Sequence, residues 1–261
     1  MRLILAALLL TAKAAAAATV TAILAPARTV EIRSTVNGRV AALDLIDGDR
    51  VAAGDPLAQI DGRVQEARVA LADVIASAKG VSLRADRVLE EATARRDRIA
   101  TARTKGAAQE WEVVAAEQAV AVAEADKLVA EDDLRRKRAE LALEQATLAE
   151  FLIDAPFDAT VLEVFVDPGE IVDTGTVLME VGSIDDLIAT AFVPVEWLPG
   201  LSRGAPIAAS TDLGGRVDAT VNAIDPRVDP ASRTVRVVLR LDNSDGRYLP
   251  GTTLVVEAPS S

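Results

Sequence analysis

The sequence predicts an elongated, multidomain α+β chain: a β-sandwich of two matching halves, split by an antiparallel α-helical hairpin and followed by a small antiparallel β-barrel. Three observations predict it. A short β-type pattern occurs twice, 121 positions apart. The stretch between the copies is rich in Ala and charge and carries a heptad repeat. The last third of the chain reads as strand, turn, strand.

The first 18 residues stand outside the fold. Met1-Arg2 is a short positive start, Leu3 to Leu10 is an apolar run, Lys13 interrupts it, and Ala14 to Ala18 offers small-residue cleavage sites. That layout predicts a secretory signal peptide over residues 1–18, and the run is too short for a membrane-spanning helix, which needs about 20 apolar residues. No Cys follows it, which excludes a lipid-modified N-terminal Cys.

Composition removes whole classes of function. The formal net charge is −12, and cleavage of the leader takes away Arg2 and Lys13, leaving about −14. Such acidity argues against nucleic acid, whose phosphates need a clustered basic surface. The chain has 0 Cys and 0 His, so disulfides, thiolate nucleophiles, imidazole bases and the usual zinc ligands are all missing. No cofactor and no catalytic residue is predicted.

The first sandwich half is expected within residues 19–62. Segment Ile32–Asp61 lies on Ile153–Gly182 without a gap. Ile32, Val40, Gly48, Val51, Gly54 and Leu57 meet Ile153, Val161, Gly169, Val172, Gly175 and Leu178. These identities fall on the apolar and turn positions of one pattern, which is the signature of an internal repeat. Asp47-Gly48 and Pro168-Gly169 are turn dipeptides, in which Gly tolerates positive φ. Each half is too small to cover its own apolar face, so the two are expected to interlock.

Residues 63–150 are expected to form the hairpin. Val64, Leu71, Ala78, Ala85, Ala92 and Ile99 lie seven apart, and Ala67, Val74, Val81, Val88, Arg95 and Ala102 follow each by three. Only Arg95 breaks this seam, which predicts one coiled-coil helix of roughly 60 Å. Gly106 is the expected point of reversal. A second helix from about Ala108 to Glu150 follows, with Val113, Ala116, Val120, Ala123, Ala130, Leu134, Leu141, Leu148 and Phe151 on its seam and Lys127, Lys137 and Glu144 on the same stripe.

Residues 151–182 are expected to return to the sandwich, and residues 183–261 to form the barrel. Ile188–Val193, Pro206–Ser210, Arg216–Ile224 and Thr234–Leu241 read as strands, with a turn at 212–215. Asp225 and Asp229 would need a third partner for catalysis, and no His exists to serve. They are read as structural hydrogen-bonding groups.

The paired half-motif resembles the biotinyl/lipoyl domain, and two halves split by an insertion resemble the barrel-sandwich hybrid of membrane fusion proteins. A carrier would display a modified Lys on a tight hairpin between the halves. Here about ninety residues of expected helix stand there instead, with no Met-Lys-Met-like turn. The segment from Ile224 to Gly251 resembles the barrel-closing segment of periplasmic adaptors of resistance-nodulation-division (RND) efflux pumps. Asp225, Pro226, Val228, Asp229, Ser232, Arg233 and Thr234 match its first part, and Asn243, Gly246, Leu249, Pro250 and Gly251 its second. Gln109-Glu110-Trp111-Glu112 looks like the turn at the family's hairpin tip. Ala107 stands at the Ser position of that tip, and Arg96 with Ala100 stands for its Arg and Leu.

The resemblance implies a non-enzymatic periplasmic adaptor that links an inner-membrane transporter to an outer-membrane channel. It implies membrane association through partners, and a homo-oligomer, trimer or hexamer, in the assembled pump. An ABC-type exporter is the alternative transporter. The implied channel-contacting tip is Arg96, Arg103, Lys105, Gly106, Ala107, Gln109 and Trp111, with Trp111 also readable as a packed tip residue. The implied barrel signature is Asp225, Pro226, Asp229, Arg233, Thr234, Pro250 and Gly251. Typical members continue into a membrane-proximal domain, of which Thr19–Leu24 and residues 252–258 are the expected remnant.

Overall fold

The structure, a computed structural model, describes residues 18–212 and 214–259. The signal-peptide expectation lies outside these residues, apart from Ala18.

The two repeat halves fold onto each other and exchange equivalent hydrogen bonds. Gly48 donates its amide to the carbonyl of Val161 at 2.9 Å, and the matching Gly169 donates to the carbonyl of Val40 at 2.8 Å. Gly54 donates to Ala155 at 2.8 Å, and the matching Gly175 donates to Ser34 at 2.8 Å. All four glycines have φ between 86° and 94°, a region that penalises any residue with a Cβ. The strands show the same exchange. β2 (Gly38–Ala42) pairs with β7 (Ile171–Val172), and β3 (Arg50–Val51) pairs with β6 (Ala159–Val164). β4 (Pro56–Ile60) joins β2 to β5 (Leu152–Asp154). Between the layers lie Val40, Leu57, Ile60, Val161, Leu178, Met179 and Val181, all buried. At about 1.5–3 kcal/mol for each fully buried large apolar side chain, this shared core is what neither half has alone.

Two long strands carry the sandwich into a second body. β1 (Thr19–Arg33) and β8 (Val177–Pro194) pair antiparallel from Leu24↔Ala189 to Arg33↔Val177. The domain boundary expected between residues 182 and 183 is therefore crossed by an unbroken strand. Beyond it, β1 pairs with β12 (Thr253–Glu257), followed by β9 (Pro206–Thr211), β10 (Arg216–Asp229), β11 (Thr234–Asp242) and β8 again. This order closes a six-stranded ring. In β11, Val235, Val237, Leu239 and Leu241 are buried between outward Arg236 and Arg240, the period of two of a half-buried strand. Val20–Ile23 and residues 253–256 pair within this ring. They belong to the barrel and form no separate remnant.

Helix α1 (Arg63–Ser77), α2 (Gly80–Thr104) and α3 (Glu110–Ala149) occupy the insertion. α1 and α2 both pack along α3. The expected single helix over residues 64–103 is interrupted: Ala78 is extended, with ψ 110°. Gly80, a poor helix former, opens α2. The seam differs as well. In α1 the polar Gln65 is 4% exposed and the apolar Val64 is 72% exposed. Gln65 donates to the Glu144 carbonyl at 3.0 Å and its carboxylate at 2.7 Å, a bond that turns α1 one residue away from the heptad seam. In α2, Ala85, Ala92 and Ile99 face α3, but Val81, Val88 and Arg95 are exposed. Arg95 thus interrupts no packing seam. The seam expected on α3 does face the other helices, with Ala116, Val120, Ala123 and Ala130 buried.

Candidate docking surfaces at the helical tip and the barrel

The helical tip is built by two backbone motifs. α2 ends with Gly106 at φ 75°. The Gly106 amide donates to the Arg103 carbonyl at 3.0 Å, and the Ala107 amide to the Ala102 carbonyl at 2.9 Å. This is a Schellman ending, which needs a left-handed residue at that point. α3 then starts with a capping box: the Gln109 side chain caps the Glu112 amide, and the Gln109 amide donates to Glu112 Oε2 at 2.6 Å. The four-residue turn legible in the sequence is therefore a helix start. Arg103 and Glu110 pair across the reversal at 2.8 Å.

Lys105, Gly106, Ala107 and Gln109 are exposed there. Trp111 is 69% exposed, so the packed-tip reading of this residue does not hold. Burying an indole is worth about 2 kcal/mol or more, which an exposed Trp leaves available to a partner. Arg96 does not join this cluster. It lies ten residues before Gly106, about 15 Å down the helix, and pairs with Asp97 at 2.6 Å.

The barrel signature divides between the two ends of β11. At one end, Asp225 accepts from the Arg227 amide at 3.0 Å and its Nε at 3.1 Å. Arg236 stands 3.4 Å away. These bonds, the Arg227 side chain above all, hold the Asp225 carboxyl at about 2. Pro226 lies between the two partners. Asp229 accepts from the amides of Ser232 at 3.2 Å and Ala231 at 2.8 Å, which also lowers its pKa. Arg233, at φ 55°, is the non-glycine residue with positive φ among those described. Its Nη2 reaches Glu196 at 3.1 Å, and its carbonyl accepts from the Val195 amide. The Thr234 hydroxyl lies 2.8 Å from that of Ser232.

At the other end, roughly 26 Å along the strand, Gly251 donates its amide to Leu24 at 2.8 Å and Leu24 donates to Thr252 at 2.9 Å. Pro250 precedes this clamp, which fastens β1 to the barrel. Directly after β11, Asn243 is 0% exposed. The Asn243 side chain donates to the carbonyls of Ile184 and Tyr248 and accepts from the Tyr248 amide, each at 2.8 Å. The seven signature residues thus form two loop-fixing clusters and no shared site. Asn243 was legible as a motif match, but its burial was not. Among the described residues, no group of carboxylates is placed to hold a metal ion, and no helix is long and apolar enough to cross a membrane.

Comparison with known proteins assigns this architecture. The family description "RND MFP, barrel-sandwich hybrid domain" matches residues 28–181, and "CusB-like, beta-barrel domain" matches residues 190–261. The chain belongs to the RND membrane fusion protein family. Members of this family are periplasmic adaptors, structural linkers without enzymatic chemistry. The chain is 29% identical over 229 residues to the nodulation protein NolF of Rhizobium meliloti (strain 1021), covering 85% of this chain and 58% of NolF. It therefore spans little more than half the length of that relative. The fold is shared with MacA from Actinobacillus actinomycetemcomitans, at TM-score 0.78 and 18% identity over 92% of this chain and 78% of that one. It is also shared with the membrane fusion protein Spr0693 from Streptococcus pneumoniae R6, at TM-score 0.65 and 17% identity over 94% and 99%.

Proposed function

We propose that this membrane fusion protein is the periplasmic adaptor of a tripartite efflux pump, linking an inner-membrane RND transporter to an outer-membrane channel for export of small molecules. One observation carries the reading. The β1–β8 ribbon makes barrel and sandwich one continuous β framework, while the whole helical insertion leaves that framework between Asp61 and Phe151 and packs on itself. A body with a rigid base and a protruding helical arm supplies geometry.

On this proposal the domains divide as residues 1–18, 19–62, 63–150, 151–182 and 183–261. The three helices act as one antiparallel hairpin, and its tip residues Arg103, Lys105, Gly106, Ala107, Gln109 and Trp111 meet the channel, with Arg96 on the shaft below. The barrel end carrying Asp225, Pro226, Asp229, Arg233 and Thr234 faces the transporter. Pro250 and Gly251 hold the opposite end to β1. Several copies, three or six, share one pump. The insertion also supports a linker over a carrier, because helix stands where a carrier would present its Lys.

The test is capture of the tagged full chain from detergent-solubilised membranes, read by mass spectrometry. An RND transporter and an outer-membrane channel are expected. Recovery of neither from an expressing strain overturns the reading.

A further inference from the structure

The sandwich carries an open groove of about 540 Å³ between its two halves. Residues 43–47 and 164–168 line it, and these are the same five repeat positions, 121 apart. Each loop is fixed by the same turn. The Ile46 amide donates to Asp49 at 2.9 Å, and the matching Asp167 amide donates to Glu170 at 3.3 Å. Asp47 then ties the loops together by accepting from the Val164 amide at 3.0 Å. Leu43 and Leu45 from one copy, with Val164 and Val166 from the other, make a floor continuous with the sandwich core.

The rim does not keep the repeat. Asp44 stands at the position of Phe165, Ile46 at that of Asp167, and Asp47 at that of Pro168. Every rim position thus holds a carboxylate in one copy and an apolar group in the other. Turns shaped only for water would be polar in both. Here Ile46 is 67% exposed and Phe165 47% exposed, beside exposed Asp44, Asp47 and Asp167. No Lys or Arg lines the groove. None of the three carboxylates joins an ion pair among the described residues.

These features select the occupant. An anion would meet three carboxylates and no countercharge. A wholly apolar molecule would desolvate those carboxylates without pairing them. A bare metal ion needs several carboxylates converging on one point, and no such group exists among the described residues. A molecule with a positive centre and apolar bulk answers both parts of the rim. Its charge faces Asp44 and Asp167, its bulk covers Ile46 and Phe165, and a cation over the Phe165 ring gains further attraction. The volume falls within the range of small-molecule sites, about 300–1,000 Å³.

We infer that this groove binds an amphipathic organic cation. The inference goes beyond the adaptor reading, because it gives a structural linker a ligand of its own.

Tetraphenylphosphonium and tetraphenylborate test it, being alike in size and shape and opposite in charge. Isothermal titration of the purified full chain should show one cation bound per chain, with the anion about ten-fold or more weaker. Asp44→Asn and Asp167→Asn should each weaken cation binding about five-fold, and Phe165→Ala about as much. Asp218→Asn removes the same charge from an exposed position on β10 and should change nothing. Asp47 is kept, because it holds Val164. The substituted side chains are all exposed, so folding is preserved, which circular dichroism verifies. Phe165→Leu, which keeps bulk without the ring, serves as the second variant at that position. No uptake of the cation overturns the inference. So does equal binding of the two probes, which marks an apolar patch without charge selection. Cation binding that Asp218→Asn weakens as much as Asp44→Asn overturns it too, because it marks the diffuse acidity of the chain. Capture of a polypeptide by a photo-crosslinker at Phe165 in cells, without cation uptake, assigns the groove to a protein instead. The titration uses the chain alone, so its failure leaves the adaptor reading standing, and failed membrane capture leaves the titration intact.

Discussion

Arg103 on α2 and Glu110 on α3 pair at 2.8 Å across the reversal of the helical arm. Both side chains are well exposed, so the pair contributes about 1 kcal/mol or less. What fixes the tip is the backbone beneath it, and Gly106 is its pivot. A Cβ at Gly106 meets no atom within 4 Å, so Gly106→Ala carries only the left-handed backbone cost, about 1 kcal/mol. Urea denaturation followed at 222 nm should show a loss of that size. An unchanged midpoint means that the tip does not hold Gly106 in this conformation.

Trp111 separates stability from docking. Being exposed, it should tolerate Trp111→Ala within about 0.5 kcal/mol. In the adaptor reading the same variant reduces crosslinking to the outer-membrane channel in cells. A large loss of thermal stability would show instead that the indole packs within the arm.

The sandwich was legible because its turns are made by glycines that the backbone requires. The arm was legible only in part. Both helical seams are written in Ala and branched aliphatic residues, while the residue that sets the buried face of α1 is polar. Gln65 is buried by its bonds to Glu144, so Val64 faces solvent, an inversion that apolar periodicity alone cannot show. The interruption at Ala78 was hidden for the same reason, since Ala78 sits on a heptad position. At the barrel, the motif identified the loops but not that they lie at opposite ends of β11.

Gly38 shows a different use of glycine. Its repeat counterpart is Ala159, yet a Cβ at Gly38 would lie 2.5 Å from Cγ2 of Ile60. Ile60 is fully buried, so it has no room to yield. Gly38→Ala should cost about 1–3 kcal/mol by overpacking. Chemical denaturation of the variant measures this, and a neutral result would mean that Ile60 can move away from β2.

Acid should weaken the barrel through Asp225. Its carboxyl is held at about 2 against an ordinary 3.8. A carboxyl with a depressed folded pKa contributes stability above its unfolded value, and that contribution is lost as pH falls through the folded one. The loss should therefore run from about pH 4 to pH 2. Asp225→Asn removes the titrating group, so its melting temperature should be lower than that of the wild type at pH 6, and the gap should narrow at pH 2. A constant gap across that window would contradict the assignment.

Asn243 offers the sharpest test of the barrel clamp. Its side chain makes three bonds in a site closed to water, serving two carbonyls and one amide. Replacing it with Leu removes all three and leaves those backbone groups without partners. Each stranded group costs about 1–3 kcal/mol, and relaxation of the loop after Asp242 recovers part of that, so a net loss of about 3 kcal/mol is expected. Asn243→Asp is the informative contrast. It keeps the acceptor for the Tyr248 amide but loses the donor to Ile184 and Tyr248, and it buries a charge. It should therefore destabilise the chain at neutral pH and recover as pH falls and the carboxyl protonates, opposite in sign to the effect at Asp225. Melting curves of both variants between pH 4 and pH 7 measure this. If Asn243→Asp instead behaves like the wild type throughout, the two donated bonds do not hold the loop against β8.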